Sequence, residues 1–439
     1  MKNMEACGRR PAADVQTMCD VTLINPPAPY LADPKASPPL GLLYVADALE
    51  RAGIGVRVLD LAEDPDYLAK AAAVDSPVIG AGCVTPNYRF VREIAAVLPR
   101  GAVKIVGGPH PSALPGRTLD ELGFDVVVAG EAETIIADLA LDLLAGRRTE
   151  RIVHGPPTPP GEIGIPARYL LDMRDYSPEM TADSATTVIT SRGCPFRCGF
   201  CYKMYDHKLV RYHPLEVVER EIGILAGEYG FRNLVLTDDN FLGNRGHFNA
   251  IAGILKSNGV KYRCVGRADS LTEKALETLV ETGCTEISFG VESGSQKILD
   301  RIGKKMSVDK QKAAILAAKR AGITAKAYFV VGVPGEDETT VEETKRFFEE
   351  ALPDKWLLST FSPLPGSDAF VNPEKYGITR LSEDFGEYWY VGNEGLGGRS
   401  FDAEGLDPER VREFNRELFD FFQSRVPMKR AARKNPENK

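Results

Sequence analysis

Ala185-Thr186-Thr187-Val188-Ile189-Thr190-Ser191-Arg192-Gly193-Cys194-Pro195-Phe196-Arg197-Cys198-Gly199-Phe200-Cys201-Tyr202 carries a β-rich run straight into three closely spaced cysteines. Three thiolates gathered this tightly turn towards one metal centre, and their number suits a cubane iron–sulfur cluster better than a closed site. With three cysteine ligands a [4Fe–4S] cluster keeps one iron free of protein, open to a small molecule. A disulfide with a spare thiol fits poorly, because such spacing in a long chain without a secretory signal points to metal or redox chemistry. Zinc takes four ligands in paired knuckles, and no second CxxC pair or HxxxH partner is present. An electron-transfer ferredoxin needs a fourth cysteine at its own spacing, and Cys264 and Cys284 are too isolated to supply it.

The surrounding chain has 439 residues, 43% hydrophobic and 26% charged, which fits a globular protein of two or three domains. No apolar run reaches membrane-spanning length, and the start Met1-Lys2-Asn3-Met4-Glu5-Ala6 lacks a signal-peptide core, so a cytoplasmic chain without a membrane partner is expected. Eight cysteines without a regular framework fit a reducing compartment, and Cys7 and Cys19 read as ordinary thiols. A net charge of −8 with no basic block in the body argues against a nucleic-acid partner. The basic run Lys429-Arg430-Ala431-Ala432-Arg433-Lys434 reads as a solvated tail.

Upstream of the cysteines, short apolar strands begin near Val21, Val56, Val78, Lys104 and Val126. Helical patterns at about 40–52, 88–98 and 133–145 separate or follow them. This alternation predicts a doubly wound parallel sheet, whose ligands sit beyond the carboxyl ends of the strands. Those ends read Asn25-Pro26-Pro27, Thr85-Pro86-Asn87, Gly107-Gly108-Pro109-His110 and Gly130-Glu131. Turn chemistry alone makes them tight βα connections, while glycine there also lets a planar ligand approach the backbone.

Downstream of 185 the alternation restarts, with strands expected near 233–239, 262–267, 286–292, 325–332 and 355–362. Helices are expected at 214–229, 246–258, 272–282, 295–321 and 338–350. Six βα units predict a partial (β/α)6 barrel of TIM type, with chemistry at the strand ends. Asp238 and Asp239 close the second strand, Arg267 the third and Glu292 the fourth. Taken as bare residues, the acids suit helix caps or helix starts, and Arg267 suits a pair with Asp269 or Glu292. Gly332-Val333-Pro334-Gly335-Glu336 reads as a Pro-Gly turn.

CxxxCxxC with an aromatic residue before its last cysteine, directly after a β-rich stretch, resembles the signature of the radical S-adenosylmethionine (radical SAM) superfamily. The resemblance implies that Cys194, Cys198 and Cys201 hold the cluster and that its open iron chelates the amino and carboxylate groups of SAM. One electron from a donor such as flavodoxin or ferredoxin then releases a 5′-deoxyadenosyl radical. It further implies that Asp238 or Asp239 meets the methionine amino group, Arg267 its carboxylate, and Glu292 the ribose or methionine portion. Val333, in the Gly-x-Pro-Gly-Glu turn, and the backbone of Phe200 and Tyr202 would border adenine.

Asn25-Pro26-Pro27, Pro38-Pro39-Leu40-Gly41-Leu42, Gly107-Gly108-Pro109-His110 and Gly130-Glu131-Ala132-Glu133 resemble the cobalamin-binding domain that precedes many radical SAM cores. The implied cobalamin contacts are Asn25, Pro26, Thr85, Pro86, Asn87, Gly107, Gly108, His110, Gly130 and Glu131. No Asp-x-His-x-x-Gly is present, and His110 does not stand in that motif, so a base-off cobalamin without histidine ligation is expected.

The expected organisation is an extension over 1–20, a Rossmann-like cobalamin-binding domain over 21–146 and a Pro/Gly-rich connection over 147–184. A radical SAM partial barrel follows over 185–366, with a substrate-covering segment and tail over 367–439. Within that segment Tyr388, Trp389 and Tyr390 suit a plug for the barrel's open end better than a lid, because large aromatics usually pack. The leading functional expectation is cobalamin-dependent C-methylation of a small natural-product substrate. The alternative keeps the barrel, gives the first domain a structural role, and dehydrates a diol in an aminoglycoside sugar without cobalamin. A non-enzymatic metal-binding module is disfavoured by the strand-end acids and the open-site cysteine count. Nothing in the sequence fixes an oligomeric state.

Overall fold

Apolar five-residue segments, each ending on Asn, Asp or Gly, build the first sheet. They are β1 (Val21–Asn25), β2 (Val56–Asp60), β3 (Val78–Gly82), β4 (Val103–Gly107) and β5 (Val126–Gly130), joined by a shorter β6 (Ile152–Gly155). The computed structural model describes residues 19–31, 33–176, 185–206, 208–389 and 398–428. Cys7, Tyr390 and the basic run at 429–434 lie outside them. All six strands pair in parallel in the order β2-β1-β3-β4-β5-β6. Helices α1 (Leu40–Arg51), α2 (Tyr67–Ala72), α3 (Tyr88–Val97), α4 (Pro109–Ala113), α5 (Pro115–Leu122) and α6 (Ile136–Leu144) connect them.

Strand alternation feeds two cores. Leu23, Ile105, Val126 and Val128 pack with α1 and α6, while Ile24, Ile79, Val106 and Val127 pack with α3 and α5. Because β1 lies between β2 and β3, the crossovers leave it in opposite directions and open a crevice beyond the strand ends. Strand β6 falls inside 147–184, the stretch expected as a connection. Its four residues include a histidine and precede Pro156-Pro157, so they carry almost no periodic signal.

The second half starts with β7 (Ala185–Val188), then a hairpin of β8 (Ser191–Arg192) and β9 (Arg211–Tyr212), and α7 (Leu215–Gly227). It continues through β10 (Asn233–Leu236), α8 (Arg245–Ser257), β11 (Lys261–Gly266), α9 (Glu273–Glu281) and β12 (Cys284–Glu292). Then come α10 (Gln296–Arg301), α11 (Val308–Arg320), β13 (Thr324–Val331), α12 (Glu338–Ala351) and β14 (Lys355–Thr360). The parallel order β14-β13-β12-β11-β10-β7 leaves β7 and β14 as edges, giving the partial six-stranded barrel. The helical pattern at 295–321 is two helices, because Gly303 and Lys305 take left-handed φ values of 64° and 50° between them.

After the barrel, α13 (Asp368–Val371), β15 (Ile378–Leu381) and β16 (Phe401–Ala403) lead to α14 (Pro408–Arg425). Asp407 caps α14 by accepting from the Glu409 and Arg410 amides. Phe414, Leu418 and Phe422 recur every four residues on its buried face. Phe422 stacks on Phe348 of α12 at 4.0 Å. Tyr388 does not plug the barrel. It is buried with Phe385 in the first domain's core, beside Tyr88, so this segment packs across both domains. No described helix is long and apolar enough to cross a membrane.

Candidate active site

The cysteine loop is closed at its stem by β8 and β9, with Arg192 opposite Arg211. Gly193 follows at φ 98°, where a Cβ would lie 2.5 Å from the Leu209 carbonyl oxygen, so only glycine turns the chain into the first cysteine. Farther on, the Gly199 amide donates to Ile302 O and its carbonyl accepts from the Ala369 amide, both at 2.8 Å. Cys194, Cys198 and Cys201 are half-buried free thiols. The Cys201 amide donates to Cys198 O at 3.1 Å, and the two thiols share a hydrogen bond. That bond, reinforced by the Lys304 and Arg267 charges, outweighs burial and lowers the pKa of the Cys198 thiol while raising that of Cys201. Among the described residues no three His, Cys, Asp or Glu side chains converge on a single ion. A cubane takes each thiolate on a different iron, so three free thiols spread over one pinned loop fit a cluster.

The strand-end residues of the barrel have different fates. Asp238 is buried and accepts from the Thr190 hydroxyl at 2.8 Å and from the Ser191 hydroxyl, bracing the start of the cysteine loop. Burial pushes its carboxyl up to about 6. Asp239 is exposed and pairs with Lys203 at 3.1 Å, next to Cys194. Arg267 is forked against Asp269, donates to Lys304 O and lies 3.5 Å over the Phe196 ring of the cysteine loop. Glu292 pairs with Lys304 at 2.6 Å. It takes φ 65° where the β12–β13 register shifts, a strained conformation for a residue with a side chain. The Val333 side chain is buried among Ile298, Leu299 and Tyr376, and Phe200 packs against the same cluster. Val333 therefore offers backbone at most, while the Phe200 ring is partly covered. Tyr202 reaches Ser112 of the first domain and lies against Gly366.

A cavity of about 560 Å³ occupies the crevice of the first sheet, within the range that holds cofactors. Asn25, Pro26, Asn87, Gly107, Gly108, Gly130 and Glu131 line it, with Gly82 and Cys83. The cradle is made of backbone: at Gly108, φ 117°, a Cβ would sit 2.6 Å from the Cys83 carbonyl oxygen. Thr85, Pro86 and His110 are not in the wall. The His110 ring is buried between Tyr88 and Phe385, with Nδ1 3.0 Å from the Thr85 hydroxyl. Burial draws it down to about 4, so it is a neutral packing residue. The cavity's far wall comes from the barrel side, at Ile189, Arg192 and Met204. A second space of about 260 Å³ adjoins it, sharing Pro109, Glu131, Arg192 and Met204 and reaching Cys194, Lys203 and Asp239.

Glu131 stands where the two halves meet. Its carboxylate accepts from Arg211 at 2.8 and 2.5 Å and lies 3.1 Å from Arg192, which also reaches Glu133 at 2.7 Å. Burial works against the carboxylate, but Arg211 and Arg192 hold it down to about 2. Arg192, Lys203, Arg211, Glu133 and Lys304 were not legible as site residues, since each acquires its role from a partner distant in sequence. For Arg192, Lys203 and Arg211 the available signal was their placement around the cysteine run.

Residues 188–348 match the radical SAM superfamily profile and residues 34–140 the B12-binding-domain profile. An uncharacterized methyltransferase of Pyrococcus horikoshii is 32% identical over 358 residues, covering 75% of this chain and 77% of the relative. The chain belongs to the radical SAM superfamily. Its cofactors are those of a family member with a B12-binding domain: a [4Fe–4S] cluster, SAM and cobalamin. It is a methyltransferase-like cobalamin-dependent radical SAM enzyme. The cytidylyl-2-hydroxyethylphosphonate methyltransferase of Streptomyces wedmorensis is 25% identical over 448 residues, covering 81% of this chain and 83% of that one. The radical SAM methyltransferase TsrM from Kitasatospora setae, solved with cobalamin and a [4Fe–4S] cluster, shares the fold at a TM-score of 0.71 and 18% identity. That match covers 94% of this chain and 93% of TsrM.

Proposed function

We propose that this radical SAM enzyme transfers a methyl group to a carbon of a small, natural-product substrate, with cobalamin in the first-domain cavity and SAM at the cysteine loop. The observation that carries the reading is the shared wall: Arg192 and Met204 of the barrel half line the cavity formed by the strand ends of the first sheet. A cofactor in either half would then face a reactant held by the other. When bound, the cluster and SAM supply a 5′-deoxyadenosyl radical able to take hydrogen from an unactivated carbon, and cobalamin supplies the methyl group.

The chain's own residues have defined tasks in this reading. Cys194, Cys198 and Cys201 hold the cluster. Asp239, exposed beside Cys194, receives the methionine ammonium in place of Lys203, while Asp238 holds the loop. Glu292, fixed by Lys304, accepts from SAM hydroxyls. The backbone at Phe200, Tyr202 and Val333 borders adenine. Arg267 braces Phe196 from its pair with Asp269, so its part is to shape the loop and not to fork the SAM carboxylate. Gly107, Gly108 and Gly130 would let the corrin lie against backbone, and His110, packed between Tyr88 and Phe385, would not supply the cobalamin with a histidine ligand. An external one-electron donor such as flavodoxin or ferredoxin completes the system.

Cobalamin-independent dehydration of a sugar diol leaves the cavity without a role and is not favoured. The test is anaerobic reconstitution with iron, sulfide and cobalamin, followed by mass spectrometry of a reaction with methyl-labelled SAM. The expected products are 5′-deoxyadenosine and S-adenosylhomocysteine together, with label in the substrate. Deoxyadenosine alone, accompanied by release of water, would replace methylation with dehydration.

A further inference from the structure

Glu131 was expected as a cofactor contact of the first domain, yet its side chain is spent on the other half of the molecule. Arg192 and Arg211 are cross-strand neighbours in the hairpin that opens and closes the cysteine loop, and both are tied to Glu131. Glu133 holds Arg192 from a second side at 2.7 Å. The loop itself makes a third tie: the Glu131 amide donates to the Tyr205 hydroxyl at 2.7 Å, and that hydroxyl donates to Gly155 O at 2.8 Å. Gly130 must be glycine for this docking, because a Cβ there would lie 2.2 Å from Gly155 O and 2.8 Å from the Tyr205 hydroxyl. Glu131 and Arg192 also form part of the cavity wall.

We infer that Glu131 is a positioning residue through which occupancy of the first-domain cavity fixes the stem of the cluster loop, so that each cofactor tightens retention of the other. The inference rests on the cofactor placement proposed above. A ligand filling the cavity limits the motion of the wall residues Glu131 and Arg192, and the ion pairs pass that restriction to both strands of the stem. Linkage makes the effect reciprocal, and site-to-site couplings of this kind commonly amount to about 5- to 150-fold. Buried charge pairs lose most when one partner is removed, so the isosteric neutral variant is the sharpest probe.

The experiment measures iron extraction by a chelator from the anaerobically reconstituted full chain, with and without bound cobalamin. In the wild type, cobalamin should slow extraction by about fivefold or more. In Glu131→Gln the ratio, measured at cobalamin saturation as read from its visible spectrum, should fall towards one. Arg211→Lys, which keeps the charge and loses the two-pronged geometry, should give an intermediate ratio and serves as the probe if Glu131→Gln does not fold. The wild-type ratio persisting in either folded variant, or no protection in the wild type, overturns the inference and leaves the methyltransferase reading standing. A wild-type chain that takes up no iron or no cobalamin overturns both.

Discussion

At the carboxyl ends of the first sheet the cavity meets Gly82, Gly107, Gly108 and Gly130, whereas the barrel's strand ends carry Asp238, Asp239, Arg267 and Glu292. Both sheets obey the rule that parallel strands present ligands at their carboxyl ends. The first presents bare glycine backbone at those ends, suited to recognition by shape. The second recognises by charge, and every charge already has a partner: Thr190 and Ser191 for Asp238, Lys203 for Asp239, Asp269 for Arg267 and Lys304 for Glu292. A ligand entering the first site displaces solvent. One entering the second must exchange partners with an existing pair.

The comparison breaks most completely at the cysteine loop. Cys198→Ala removes one of the three proposed cluster ligands and should abolish SAM cleavage, with no 5′-deoxyadenosine detected, while cobalamin is still taken up with an affinity lowered only by the lost coupling. Gly108→Ala tests the other side. Its Cβ meets the backbone of Cys83 in a left-handed conformation, which should cost about 1–3 kcal/mol, lower Tm and eliminate cobalamin uptake. Uptake equal to the wild type would show that shape is not the determinant.

The two adjacent acids sharpen the charge side. Asp239→Asn should weaken SAM binding by about tenfold, ~1.4 kcal/mol, as read by calorimetry, and leave Tm unchanged. Asp238→Asn should lower stability by about 1–2 kcal/mol through its lost loop hydrogen bonds without an equal loss of SAM affinity. The opposite pattern would exchange their roles.

An effect visible only against pH concerns Glu336, whose carboxyl accepts from the Gly332 amide at 2.6 Å. Burial raises it to about 8 from 4.5. The native state therefore keeps its proton to higher pH than the unfolded chain does. The stabilisation is complete below pH 4.5 and is lost as pH rises through about 8. Glu336→Gln keeps the neutral form, so its Tm should gain on the wild type between about pH 5 and pH 8. A constant difference across that range would mean that water reaches the carboxylate.

Much of the fold was legible because its signals are local. Apolar strands closed by Gly or Asn, and helices with a 3.6-residue period, each announce themselves within a dozen residues. The elements that escaped lacked that local signal or obscured it. Strand β6 is too short and polar, and α14 begins at an Asp-Pro cap whose Phe414, Leu418 and Phe422 spacing is diluted by charged residues. The cysteines stood out in the sequence, as did the glycine cradle. What the sequence did not disclose was pairing. Whether Asp238 or Asp239 faces outward depends on Thr190 and Ser191, and the position of Lys304 depends on left-handed turns at Gly303 and Lys305. His110 looked like a site residue for its motif, yet the C-terminal Phe385 covers it.

The pairing of Arg192 with Arg211 across the hairpin has one more consequence, in the order of assembly. The stem joins residues 192 and 211 through backbone hydrogen bonds, so part of the entropy of closing the intervening loop, which grows with the logarithm of its length, is met by the hairpin. The two strands thereby shorten the search by which three thiolates find one cluster.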